Sequence, residues 1–224
     1  MSVRVLVFDL YGTLLDVDSV AHVAETIFPG KGERLSEIWR QKQLEYSWLL
    51  TLMGDDRDFE AVTRLGLRYA LTALGLEGGP AIEARLLASY DRLRVFPDVE
   101  AFLEAMRDRV PLAVLSNGTP RMLSSALENA GIRSFFSAVL SAATVKKHKP
   151  HPDVYRLVTE RFGVSPEAVG FVSSNAWDAH GAAGFGFRAF WVNRKGAPAE
   201  ALGGDVVEVG SLSALSQEIL PELA

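Results

Sequence analysis

The chain begins with a nearly continuous apolar run, Val3 to Phe8, that ends on a carboxylate at Asp9. Apolar positions that do not alternate predict a strand, about residues 4–8, buried on both faces of a parallel sheet. From about Val17 to Asp91 the pattern changes to stretches of helical period, broken at Pro29-Gly30, Gly54-Asp55-Asp56 and Gly75 to Pro80. Helices are expected over about 38–50, 58–74 and 81–93. The first of them puts Ile38, Gln41, Leu44, Glu45 and Trp48 near one side, with Arg40 and Ser47 off it.

Alternation of helix and strand resumes at Phe96-Pro97-Asp98. Strands are predicted over 111–115, 138–141, 168–172 and 188–192, and helices over 99–107, 121–130 and 153–162. Gly131 stands where a helix C-terminus is capped. Such alternation is the pattern of βαβ units. The predicted fold is therefore α/β: a Rossmann-like core with a parallel sheet, residues 1–15 and 94–224, and an inserted helical cap subdomain, residues 16–93.

Polar residues gather just beyond successive strand ends: Asp9, Ser116 with Asn117, Lys149, then Ser173, Asn175 and Asp178. In an open α/β sheet ligands bind along that edge, near the topological switch point. Four strand ends are thus expected to converge on one site.

Composition narrows the chemistry. With 28 acidic against 23 basic residues the formal charge is -5, which argues against a nucleic-acid or anionic-membrane surface. There is no cysteine, which removes disulfides, thiolate metal sites and thiol nucleophiles. The four histidines form no spaced ligand pair, so no zinc site is expected. No apolar leader opens the chain and no stretch approaches the roughly 20 residues of a membrane span, so a cytoplasmic protein acting on small molecules is expected.

Five segments carry a resemblance that spans nearly the whole chain. They are Phe8-Asp9-Leu10-Tyr11-Gly12-Thr13-Leu14; the stretch from Trp39 to Tyr46 that begins Trp39-Arg40-Gln41-Lys42-Gln43; Ser116-Asn117-Gly118; Lys149-Pro150 with Tyr155; and Ser173-Ser174-Asn175-Ala176-Trp177-Asp178. Together they resemble the haloacid dehalogenase (HAD) superfamily, and more narrowly its 2-haloacid dehalogenases. Tyr11 stands where the superfamily's phosphatases carry a second aspartate. Phosphoryl transfer needs Mg²⁺ to neutralise the dianion and an acid to protonate the leaving alkoxide. A halide leaves without a proton and needs cationic and hydrogen-bonding solvation instead.

The resemblance implies that Asp9 attacks C2 of a small L-2-haloalkanoic acid, giving an aspartyl ester that water hydrolyses to a D-2-hydroxy acid, with no metal and no cofactor. It gives Arg40 and Asn117 to the halide, and Ser116 with the backbone N–H groups after Asp9, at Leu10 and Tyr11, to the substrate carboxylate. Lys149 supplies positive charge beside both. Thr13, Tyr155, Ser173, Asn175 and Asp178 complete the polar shell, Tyr155 being expected to contact the substrate, with Asn175 and Asp178 candidates to position or activate the hydrolytic water; Asp178 is alternatively a structural partner of Lys149. Tyr11, Gln41, Leu44, Phe59 and Trp177 are expected to line the pocket, although plain core packing explains Leu44 and Phe59 equally well. A homodimer formed through the cap helices is a further implication. The competing functions are a Mg²⁺-dependent phosphatase of the same superfamily and a catalytically silent carboxylate binder or dimer scaffold. Trp39, Trp48 and Trp191 read as packing residues, Asp16 and Asp18 as capping or solvating groups, and Gly181, Gly184 and Gly186 as points of close helix-to-sheet approach.

Overall fold

A computed structural model describes residues 2–223. β1 (Val5–Phe8) is wholly buried and leads past Asp9 to a two-residue strand, β2 (Leu15–Asp16). Four helices follow: α1 (Val20–Ile27), α2 (Gly32–Leu52), α3 (Phe59–Ala73) and α4 (Pro80–Ala88). The chain returns through β3 (Arg94–Val95), antiparallel to β2 with Leu15 opposite Val95. All the helices between Asp16 and Arg94 therefore hang from one two-stranded hinge.

The remainder alternates: α5 (Val99–Met106), β4 (Leu112–Ser116), α6 (Pro120–Asn129), β5 (Ala138–Ser141), α7 (Pro152–Phe162), β6 (Val169–Ser173), α8 (Ala176–Phe185), β7 (Arg188–Val192), β8 (Val206–Val209) and α9 (Leu212–Ile219). Six strands form one parallel sheet in the order β5-β4-β1-β6-β7-β8. Strand order reverses about β1, the switch point that leaves a crevice beyond its carboxyl end. The two sheet faces are covered by separate cores. Leu6, Phe8 and Val114 belong to the one that continues into the cap through Tyr11 and Trp39, and Val5, Val7 and Phe171 to the other.

Several expectations change. The sixth strand and its following helix were not predicted, because Val206–Val209 is a short, half-buried edge segment after a loop rich in glycine and alanine. The helix expected over 81–93 ends at Ala88 and tightens into a 3₁₀ turn over Ser89–Arg92. α2 is longer than expected and its inner stripe differs: Leu35, Trp39, Gln43, Ser47 and Leu50 are buried, whereas Gln41 is exposed. Hydrogen bonding explains the stripe. The Trp39 indole donates to the Thr63 carbonyl at 2.7 Å and Gln43 Nε2 to Thr63 Oγ1 at 2.7 Å, so buried polar groups that hydropathy places outside are satisfied inside. Gly66 lets the two helices meet, since a Cβ there would lie 3.0 Å from Gln43 N and 3.2 Å from Trp39 O.

Of the three late glycines, Gly181 packs against Pro150 and Tyr155 and Gly186 caps α8 at φ 105°, but Gly184 has open space around it. Asp16 caps the turn after it by accepting from Asp18 N. Among the described residues no helix is long and apolar enough to cross a membrane.

Candidate active site

Asp9 lies one residue beyond β1 and is 6% exposed. Its backbone continues the ladder, N–H to Val172 O at 3.0 Å, so the side chain is fixed at the sheet edge. Three donors hold the carboxylate. Lys149 Nζ reaches Oδ1 at 3.1 Å, while Thr13 Oγ1 at 3.1 Å and Asn175 Nδ2 at 2.8 Å both reach Oδ2. Thr13 in turn accepts from Ser174 N at 2.8 Å, which ties the first motif to the last.

Lys149 is 1% exposed and also donates to Asp178 Oδ2 at 2.8 Å. Burial alone would lower the Lys149 pKa, but the two carboxylates outweigh it and hold the ammonium above its ordinary value. Burial pushes Asp178 up to about 6, with Lys149 pulling against it and Asp9 adding to it. Tyr155 donates to Asp178 Oδ1 at 2.8 Å. This corrects one expectation: Tyr155 has no exposure and stands behind Asp178, among Phe171, Phe185 and Phe187, where it orients the carboxylate rather than touching a ligand.

Asn117, one residue past β4, accepts from Lys149 N at 2.8 Å through Oδ1, and its Nδ2 has no acceptor among the described residues. Ser116 accepts only a 3.3 Å contact from Gly118 N and retains its own hydroxyl proton. Leu10 is buried as a side chain, and its N–H has no acceptor among the described residues. Ser173 Oγ accepts from Asn175 N at 3.1 Å and so shapes the loop without facing Asp9.

Arg40 descends from α2. Its Nη2 lies 3.3 Å from Asn175 Oδ1 and 3.5 Å from Tyr11 O, and its Nη1 lies 2.7 Å from Gln43 Oε1. One amide therefore separates the guanidinium from the Asp9 carboxylate. Phe59 is buried and stacked on Tyr11, with centroids 6.3 Å apart at 26°. Leu44 is half-buried. Trp177 meets Trp48 edge to face at 5.4 Å, and both indole N–H groups are buried with no partner among the described residues. Gln41 is the residue not brought in: one helical step turns it to solvent, and Gln43 points inward instead. Gln43 lies within the Trp39–Tyr46 segment but the resemblance gives it no role there, and Thr63 belongs to no motif. Their nearest signal is the three-residue spacing of Gln43 from Arg40, which puts the two on neighbouring helical positions.

A divalent cation fits this donor set poorly. Lys149 bridges Asp9 and Asp178, the two carboxylates a metal would need, and the intervening loop offers the neutral Ser174 and Asn175. Among the described residues no group of three or more acidic, histidine or cysteine side chains could hold a metal ion.

A buried carboxylate at the carboxyl end of a central parallel strand, beneath a helical insertion that brings an arginine to within one amide of it, has the architecture of an α/β enzyme site. Residues 3–186 match the haloacid dehalogenase-like hydrolases, and the chain belongs to that family. It is 47% identical over 194 residues to a (S)-2-haloacid dehalogenase of Xanthobacter autotrophicus, covering 86% of this chain and 76% of that protein. It is 42% identical over 202 residues, 90% of each chain, to haloacetate dehalogenase H-2 of Moraxella sp. (strain B). A solved structure of the L-2-haloacid dehalogenase from Xanthobacter autotrophicus, with chloropropionic acid covalently bound, superimposes with a TM-score of 0.92 at 40% identity, covering 97% of this chain and 98% of that one.

Proposed function

We propose that this protein hydrolyses small L-2-haloalkanoic acids to D-2-hydroxy acids and halide, through an aspartyl ester on Asp9 and without a metal. The observation that carries the reading is the set of groups around Asp9: an ammonium, two neutral donors and, one amide away, a guanidinium. That set suits the solvation of a departing halide and suits a divalent cation poorly, which supports the metal-free reading. The names of the relatives supply the substrate class and the enantiomer.

In the first step an Asp9 oxygen forms a bond to C2 as the carbon–halogen bond breaks, the halide leaving with the electron pair. Attack from the back inverts C2. Arg40 and the free Asn117 Nδ2 receive the halide. Ser116 and the Leu10 N–H hold the substrate carboxylate, with Lys149 providing charge, and Tyr11, Phe59, Leu44 and Trp177 enclose the carbon chain. In the second step water adds to the Asp9 ester carbonyl, Lys149, Thr13 and Asn175 stabilise the oxyanion, and the bond from Asp9 Cγ to the oxygen that carries C2 breaks, releasing the alkoxide. Asp178 accepts one of the water's protons, which the released alkoxide later takes up, and the other is lost as the regenerated Asp9 carboxyl ionises, so that halide and one proton leave the site. Exposed apolar residues of α2 and α3 support a homodimer formed through the cap.

The test is a single turnover of L-2-chloropropionate in H₂¹⁸O with EDTA present. The label is expected in Asp9 rather than in the first equivalent of product. Label in that first product, or halide release only on adding Mg²⁺, would overturn the reading.

A further inference from the structure

Arg40 is held entirely by uncharged oxygens. Its three acceptors are the Gln43 side-chain amide at 2.7 Å, the Asn175 amide at 3.3 Å and the Tyr11 carbonyl at 3.5 Å. Among the described residues no carboxylate pairs with it, although Asp9 is one amide away. A carboxylate partner would fix the guanidinium more strongly, but it would also neutralise the charge that a leaving anion needs. A neutral acceptor fixes position and spares the charge.

Gln43 is the member of that set with no other task at the site. It has no exposure, and its orientation is dictated by its neighbours. Thr63 Oγ1 gives its proton to Phe59 O at 2.6 Å, so towards Gln43 it can only accept, from Nε2 at 2.7 Å. Gln43 Oε1 must then face Arg40 Nη1, and it also receives a weaker contact from Tyr90 OH at 3.4 Å. A flipped amide would set Nε2 against a guanidinium that has no acceptor to offer. Tyr90 is itself locked edge-on against both Trp39 and Tyr11. Thr63 and Phe59 are on α3, so the helix that stacks Phe59 on Tyr11 also anchors the amide that aims Arg40.

We propose that Gln43 is the positioning residue for the leaving group: a locked, neutral acceptor that aims Arg40 without consuming its charge. The assignment rests on the reading of Asp9 and Arg40 given above. It makes the carbon–halogen bond-breaking step sensitive to Gln43 and leaves ester hydrolysis, which Arg40 does not serve, insensitive.

The experiment compares wild type, Gln43→Glu and Gln43→Met on L-2-chloropropionate and L-2-bromopropionate. Rates of ester formation and ester loss are read by acid quench and intact mass, together with inhibition by added bromide. Glu keeps the shape but pairs with the guanidinium; Met removes the acceptor and keeps the charge. Each is expected to slow ester formation about tenfold, the scale of one hydrogen bond to a charged group. The slowing should be larger for chloride, the poorer leaving group. Hydrolysis of the preformed ester should keep its wild-type rate, and Gln43→Glu should weaken bromide inhibition by a similar factor. If both steps slow equally, the residue is merely structural and the proposal fails. It fails equally if the chloride-to-bromide ratio and the bromide inhibition stay at wild-type values. Should Gln43→Glu not fold, Gln43→Met carries the same comparison of steps and leaving groups. Wild type that releases no halide would overturn the function itself; wild-type turnover with unaltered ratios in folded variants would overturn Gln43 alone.

Discussion

Lys149 and Asp178 form a 2.8 Å ion pair with side chains 1% and 0% exposed, and the same ammonium holds Asp9 at 3.1 Å. Removing the cation leaves two buried carboxylates facing each other. Lys149→Met is therefore expected to lose about 3–5 kcal/mol of stability at pH 8, the usual cost of breaking a buried pair. The sign with pH follows from linkage. The Asp178 pKa is already raised in the fold, and losing Lys149 raises it further, so the carboxylate's contribution is lost as pH rises through that value. Urea unfolding should show a smaller deficit at pH 5 than at pH 8. An equal deficit at both would mean that Lys149 acts by packing.

The raised pKa also predicts a rate profile. The base role proposed for Asp178 requires its ionised form, and burial raises its pKa to about 6. Turnover is expected to fall about tenfold per unit as pH drops below that value. A kcat that stays level from pH 8 to pH 5, with the protein folded throughout, would take the base role from Asp178.

The residues at strand ends were legible because each follows a buried apolar run, and a parallel sheet brings those ends together whatever the loops do. Asp9 and Asn117 come directly after their strands, whereas Lys149 lies eight residues past β5 and is picked out from the neighbouring lysines by the family spacing of Pro150 and Tyr155. The cap was legible as helices but not as faces. Gln43 is buried while Gln41 is exposed, because hydrogen bonds to Thr63 of the neighbouring helix and not apolarity decide which side of α2 turns inward, and Ser47 on the same side satisfies its hydroxyl on Leu44 O of its own helix. Tyr155 was misplaced for a related reason. Its motif position shows that it belongs to the site, but only the packing of α7 on α8 shows that Asp178 lies between it and the ligand.

His148 links the two parts of the molecule. It belongs to the loop that carries Lys149, its N–H and ring both meet Thr51 Oγ1 of α2, at 3.0 and 3.2 Å, and its ring lies 6.0 Å from that of Phe59. Burial lowers its pKa, opposed by Asp58 and by a bond with the Ser47 backbone. A base depressed in the fold contributes stability above its ordinary value of 6.5 that is lost as pH falls through it. The stability gap between wild type and His148→Gln is accordingly expected to narrow from pH 8 to pH 5.5 in thermal unfolding. A gap that widens on acidification would show the imidazolium to be favoured at this contact.

Gly66 connects cap packing to catalysis. A methyl group there meets backbone atoms of Trp39 and Gln43 at 3.2 and 3.0 Å, and neither can rotate away. Gly66→Ala must push α2 from α3, at about 1–3 kcal/mol for overpacking of this kind. Because α2 carries Arg40, ester formation should slow along with the fall in melting temperature. Lower stability with full halide release would show that Arg40 tolerates movement of its helix.

The far end of α2 bears on assembly. Leu49, Leu52 and Met53 are 45%, 83% and 74% exposed, and Tyr69 of α3 is 44% exposed, so that four of the six exposed large apolar side chains among the described residues lie on α2, just beyond its end, and on α3. Burial against a second copy returns roughly 25 cal/mol per Å² of apolar area, so charges placed there oppose the dimer directly. None of these side chains takes part in the hydrogen bonds around Asp9, so assembly and chemistry can be separated. Leu52→Glu with Met53→Glu is expected to shift the protein from dimer to monomer in sedimentation velocity while halide release per chain stays within about twofold, as for substitutions remote from a site. A wild type that sediments as a monomer, or a double variant that still sediments as a dimer, would remove this face from the interface.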